Sequence, residues 1–282
     1  MTRLYINWDL DPVIINVFGF PLKYYGLLFA CGLILCFYIL KSIFKKEGLS
    51  ETAHEALFVY GIIEIFVGAR LGHCFFYDFE YYSNNLLEII LPVKKTLNGE
   101  YKFIGFAGLA SHGGTIGLII SLFFYSKKHK IKFLKILDLI AIVAPLGATF
   151  IRIANLMNSE MIGNQTSVPW AFVFRNIDNI PRHPAQLYEA ISYFIIFSII
   201  IIIYNTRNVK LGSGYLFGLA ITLIFIMRVL IEFVKINQVE FEEGMKLNMG
   251  QILSIPFIII GMVFIGINFL KKSNNIKTQN KL

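Results

Sequence analysis

The chain has 282 residues, 56% of them hydrophobic, with a mean hydropathy of +0.64 and a formal charge of +8. Soluble domains are less apolar than this, so composition points to an integral membrane protein. The basic residues stand in short loops between apolar runs, a pattern that fits topology control better than a nucleic-acid face. In chain order, seven apolar runs lie near 22–42, 55–77, 105–125, 136–156, 186–204, 212–234 and 248–270. Each is close to the length of about 20 residues that a spanning helix needs. The fifth run is rich in isoleucine from Ile191 to Tyr204 and would suit a strand in a soluble protein. In lipid a lone strand leaves its backbone unsatisfied, so a helix is expected. The fold class expected is all-α: a polytopic membrane protein of seven transmembrane helices in a single domain, 1–282. Cys31, Cys36 and Cys74 fall inside apolar runs without zinc-ligand spacing, and no structural disulfide is expected. Residues 1–20 contain Asp9, Asp11 and Pro12 and lack a cleavable signal pattern.

Loop charges set the orientation. Lys41, Lys45 and Lys46, then Lys127, Lys128, Lys130, Lys132 and Lys135, then Arg207 and Lys210, then the tail lysines fall on alternate loops. The intervening segments hold most of the acids, among them Asp9, Asp78, Glu88, Asp178 and Glu240. The positive-inside rule places the N-terminus outside and the C-terminus in the cytoplasm. Two outer segments, 78–104 and 157–185, exceed what a connection needs and are expected to form an arm and a cap beside a site.

A charged residue in a span costs about 2.5–3.5 kcal/mol at the bilayer centre by insertion scales, so Arg152 needs a reason to be there. With a rise of about 1.5 Å per residue, Arg152 lies roughly 24 Å from the cytoplasmic end of its helix. Arg228 reaches a similar level on the sixth helix, with Glu232 one turn above, and Arg70 does so on the second. Tyr25 and His112 start just below the outer face on helices running the other way. One arginine near a helix end often only snorkels to the interface. Three arginines, a histidine and a tyrosine on five helices at one depth suggest a common site. Gly113 and Gly114 leave room beside His112 for a ligand or a helix. Pro184 suits a helix's first turn, and Gln186 and Glu189 follow on much the same side.

Arginine binds phosphate bidentately and stays charged in low dielectric, and the phosphate natural to the outer leaflet is a lipid headgroup. His112 exchanges a proton near neutral pH. Lipid group transfer therefore fits; a flippase or transporter using the arginines as a headgroup path is the alternative. No Walker loop, metal-ligand cluster or nucleophile elbow is present, and no cofactor or metal is expected.

At these residues the sequence resembles the prolipoprotein diacylglyceryl transferase family over nearly its whole length. The motifs are Lys23–Gly26, Gly68–Gly72, His112–Gly114, 151–163, 182–189, 228–233 and Gly250–Pro256. The most specific is Ile-Arg-Ile-Ala-Asn-Leu-Met-Asn-Ser-Glu-Met-Ile-Gly at 151–163, in which Arg152, Asn155, Asn158, Glu160 and Gly163 fit the family signature. Ile151 replaces a glycine, Leu156 a phenylalanine, and Ile224 a tyrosine that the family can carry. The resemblance implies transfer of the diacylglyceryl group of phosphatidylglycerol to the lipobox cysteine of a prolipoprotein signal peptide, in the bacterial inner membrane. It implies catalytic roles for His112, Arg152 and Arg228, and substrate binding by Tyr25, Arg70, Asn155, Glu160, Gly163, Gln186 and Glu232. The implied partners are membrane lipid and prolipoprotein, with no nucleic acid.

Overall fold

The computed structural model describes residues 5–17, 19–91, 93–96, 98–103, 110–206, 209–236, 242 and 244–279. For Phe20, Ile65, Lys95, Phe103, Ser111, His112 and residues 272–279 it describes the backbone alone. Among the described residues, six helices are long and apolar enough to cross a membrane: α1 (Tyr24–Lys46), α2 (Glu51–Phe76), α6 (Phe133–Met157), α7 (Ala185–Thr206), α8 (Tyr215–Glu232) and the Met249–Lys271 part of α9 (Met249–Gln279). Helix α7 contains the isoleucine-rich run, as the backbone argument requires. At the third expected run, residues 105–109 lie outside the described residues, and α5 (Ser111–His129) begins at 111. Its glycines and terminal Lys127 and Lys128 make it less apolar than the six. The protein is a mostly helical, multi-pass membrane protein, and its described residues include three short sheets outside the spans.

The chain packs as two compact units. The unit over 43–136 is built on α2 and α5. Ser50 caps α2 by accepting the Ala53 N–H at 3.2 Å. Farther along, the two helix backbones touch at glycines: a Cβ on Gly68 would stand 2.5 Å from the Gly113 carbonyl oxygen, and one on Gly72 2.6 Å from Gly113 Cα. Small residues permit this approach, and any side chain there forces the helices apart. Two short helices, α3 (Phe79–Asn84) and α4 (Leu86–Ile90), and a hairpin of β4 (Val93–Lys95) and β5 (Tyr101–Phe103) occupy the expected arm.

The other unit comprises 1–42 and 137–282. Asp138, fully buried near the start of α6, accepts the backbone N–H groups of Gly212 (2.8 Å), Gly214 (3.0 Å) and Phe217 (3.0 Å). One carboxylate thus satisfies donors at the start of α8 that have no partner inside the helix. Gly218 and Gly261 bring α8 and α9 together, with a Cβ on Gly218 2.8 Å from the Gly261 carbonyl oxygen. Outside the spans, β1 (Ile6–Trp8) pairs in parallel with β6 (Phe172–Phe174), which pairs antiparallel with β7 (Pro181–Arg182). Trp8 packs with Leu156, Phe172 and Phe174 and donates its indole N–H to the Leu156 carbonyl at 3.1 Å. That contact seats the small sheet on the last turn of α6, close to Arg152. A separate hairpin, β2 (Val13–Val17) with β3 (Phe20–Lys23), leads into α1.

Candidate active site

Arg152 points its Nε at Glu189 Oε2 of α7, 2.9 Å away, and one Nη at Asn155 Oδ1, 3.2 Å away. Asn155 passes the arrangement on, donating from Nδ2 to Glu160 Oε2 at 2.9 Å, while Asn158 donates to Glu160 Oε1 at 3.1 Å. The loop that brings Glu160 back over the helix end needs left-handed backbone at Ser159 (φ 54°) and Met161 (φ 56°), a strained conformation for side-chain-bearing residues. Strain held at the end of the Arg152 helix indicates that the surroundings over-determine this turn.

Glu189 is fully buried and shares its second oxygen with Lys235 Nζ at 3.2 Å; Lys235 also faces Glu232 Oε2 at 3.5 Å. Arginine, two glutamates and a lysine therefore form one chain of alternating charge across α6, α7 and the end of α8. Burial of such charges is tolerated because each has an opposite neighbour. Gly250, in the first turn of α9, has no side chain where the Glu232 carboxylate lies; a Cβ there would be 2.7 Å from Glu232 Cδ. Tyr193, one turn past Glu189, lies within electrostatic reach of both Arg152 and Arg228. Arg228 itself is half-buried and makes no ion pair or hydrogen bond among the described residues. Its i,i+4 neighbour Glu232 is turned to Lys235 instead.

Gln186 is fully buried one turn before Glu189, and neither its amide nitrogen nor its oxygen has a hydrogen-bond partner among the described residues. A buried amide left unsatisfied costs about 1–3 kcal/mol, so this side chain is suited to an incoming polar ligand. Gly163 lies where three segments cross: its N–H donates to the His183 carbonyl at 2.9 Å, and it forms an antiparallel bridge with Lys235 just beyond α8. Tyr25 is the second residue of α1 and half-buried.

Of the expected residues, Arg152, Arg228, Asn155, Glu160, Gln186 and Glu232 are thus on helices or turns tied together through Glu189, Tyr193 and Lys235. Arg70 belongs to the other unit. It is buried there, donates from Nε to the Ile89 carbonyl at 3.3 Å and from Nη2 to the Glu88 carbonyl, and lies 4.9 Å from the centre of the Tyr82 ring. Its guanidinium holds the arm. The Glu88 carboxylate there accepts from Tyr81 at 2.8 Å, which pushes the Tyr81 hydroxyl up to about 12. His112 opens α5, and its side chain lies outside what is described.

Sequence reasoning gave no role to Glu189, Tyr193 or Lys235. Glu189 carried a signal, a carboxylate entering a span on the same side as Gln186. Lys235 carried a weaker one, its i,i+3 spacing from Glu232. Beside the cluster, Arg182 binds Asp178 through Nε at 2.9 Å, and the guanidinium holds the Asp178 carboxyl below the usual carboxylate range. Trp170 donates to the Tyr188 hydroxyl at 2.8 Å, which is in turn 3.1 Å from His183 Nδ1; burial pushes the His183 ring down from its ordinary value.

Comparison with known proteins identifies the family. The family model described as prolipoprotein diacylglyceryl transferase matches residues 12–267. A Bacteroides fragilis protein named phosphatidylglycerol–prolipoprotein diacylglyceryl transferase is 51% identical over 270 residues, covering 96% of this chain and 98% of its own. Proteins of the same name from Tolumonas auensis (39% identical, 94% of this chain and 98% of theirs) and Porphyromonas gingivalis (40%, 92% and 93%) are also similar. On the family match and these relatives, the chain belongs to the prolipoprotein diacylglyceryl transferase family.

Proposed function

We propose that this protein moves the diacylglyceryl group of phosphatidylglycerol onto the thiol of a prolipoprotein's lipobox cysteine. A sulfur–carbon bond forms at the glyceryl carbon, the carbon–oxygen bond to phosphate breaks, and glycerol phosphate leaves with the electron pair. The observation that carries this reading is the half-buried Arg228 guanidinium without a counter-ion among the described residues, within electrostatic reach of the same tyrosine as Arg152. An unpaired guanidinium in a low-dielectric setting is an anion site, and the anion present at a membrane face is lipid phosphate.

In this reading Arg228 and Arg152 hold the headgroup phosphate and stabilise the charge it gains as it leaves. Asn155 and Glu160 fix the Arg152 guanidinium, and Gly163 lets the turn beneath them close. The unsatisfied amide of Gln186 meets the lipid's polar backbone. Tyr25 and Arg70 bind substrate from their own helices, Arg70 through the arm it holds. Glu232 acts through Lys235. A thiol with an ordinary pKa of about 8.5 must lose its proton to attack carbon, and His112 takes it. The protein crosses the bacterial inner membrane seven times with its N-terminus outside, α5 being the third crossing, and the chain is one functional domain.

Purified protein incubated with labelled phosphatidylglycerol and a lipobox peptide is expected to yield lipidated peptide and free glycerol phosphate. Arg152→Ala is expected to slow turnover by about 10²–10³-fold, the effect of losing one charge-stabilising donor. Absence of transfer by the unaltered protein, or full activity in Arg152→Ala, refutes the reading.

A further inference from the structure

Arg228 and Glu232 are one helical turn apart, the spacing at which oppositely charged side chains pair on a helix. Among the described residues they do not pair. Glu232 Oε2 is turned to Lys235 Nζ at 3.5 Å, and the same ammonium reaches Glu189 Oε1 at 3.2 Å. Lys235 is 4% exposed and just beyond the end of α8, where its backbone bridges Gly163; its position is fixed by main-chain pairing as well as by charge. The other Glu189 oxygen is taken by Arg152. Among the described residues the charged groups at this junction are Arg152, Arg228, Lys235, Glu189 and Glu232, with Glu160 reached through Asn155, Glu242 accepting the Met249 N–H at the start of α9, and Tyr193 within electrostatic reach of both arginines. Without Lys235, the two arginines face the buried carboxylates Glu189 and Glu232 one for one. With it, both carboxylates are occupied, and Arg228 has no counter-charge among the described residues.

We infer that Lys235 is a positioning residue of the lipid site: it occupies Glu232, which otherwise captures Arg228, and so leaves the Arg228 guanidinium available to the phosphate of the donor lipid. The inference rests on the transferase reading and deepens it. It explains why a buried cation follows the half-buried Arg228 so closely, and why Gly250 leaves space for the Glu232 carboxylate.

The test is steady-state kinetics of the full-length protein with labelled phosphatidylglycerol and a lipobox peptide, for the unaltered chain, Lys235→Arg, Lys235→Met and the double variant Lys235→Met with Glu232→Gln. Lys235→Met is expected to raise KM for the lipid by about tenfold with a smaller change in kcat, because a binding contact is lost. Lys235→Arg retains the cation and is expected to keep KM within about threefold of the unaltered chain. The double variant removes the competing carboxylate, and its KM is expected to fall at least about threefold below that of Lys235→Met. A merely structural lysine predicts no such recovery. An unchanged KM in Lys235→Met overturns the inference. If Lys235→Met does not fold, the double variant is compared with Glu232→Gln alone: equal KM values support the inference, since with the competing carboxylate gone the lysine has nothing left to hold off, and a higher KM in the double variant overturns it. An unaltered chain that transfers no lipid refutes instead the transferase reading.

Discussion

Gly163 illustrates how much one residue decides here. A Cβ at this position would lie 2.6 Å from the carbonyl oxygens of both His183 and Val234, atoms that move only if the main chain moves. Gly163→Ala is therefore expected to lower stability by about 1–3 kcal/mol, the usual cost of overpacking. It should also depress lipid transfer, since the same turn carries Glu160 and abuts Lys235. Thermal unfolding of the purified variant in detergent checks this; an unaltered midpoint rejects the close-packing account. At this scale Arg152, Asn155, Glu160 and Gly163 were legible in the sequence as one motif within thirteen residues. Glu189 and Tyr193 were not, because their partners lie on other helices; Lys235 has one local partner, Glu232, but its closer one, Glu189, is on α7. Arg70 was legible as a buried arginine, yet its contacts with the arm carbonyls depend on where residues 88 and 89 return in space.

Among the elements, the helices follow from apolar run length and the sheets do not. The β1–β6–β7 sheet joins residues more than 160 positions apart, and no local pattern announces that pairing. Its outer loop is tied by Asp178 to Arg182, with His183 next in the chain. Asp178 titrates below its ordinary 3.8 and His183 below its ordinary 6.5, so the folded state favours the unprotonated form of each. Both contributions are fully present above those ordinary values and are lost as pH falls through the lowered folded ones. Acidification should therefore loosen this segment, His183 contributing below 6.5 and Asp178 below 3.8. Both tryptophans, Trp8 and Trp170, are at this sheet and its loop, so intrinsic fluorescence reads the change. The step below 3.8 should be absent from Asp178→Asn; an identical titration in both proteins sinks the linkage.

For the whole molecule, the lysine-bearing loops predict which ends face the cytoplasm. Single cysteines introduced at Asp178 and at Lys130, over a background with Cys31, Cys36 and Cys74 replaced, provide the check in intact cells. The first is expected to react with an impermeant thiol reagent from outside and the second only after the membrane is opened. Reaction at Lys130 in intact cells excludes the proposed orientation. What the sequence alone determined is the membrane class, the approximate span positions and the residues carrying unusual charge, because apolar run length and isolated ionisable residues are local properties read against one solvent. Only the tertiary structure decided which charges neutralise one another: Glu189 with Arg152 and Lys235, Glu232 with Lys235, and none of the described residues with Arg228. Ion pairing acts over a few ångströms between helices far apart in the chain, so spacing along the sequence named the candidates and left the pairing to the packing of α6, α7 and α8.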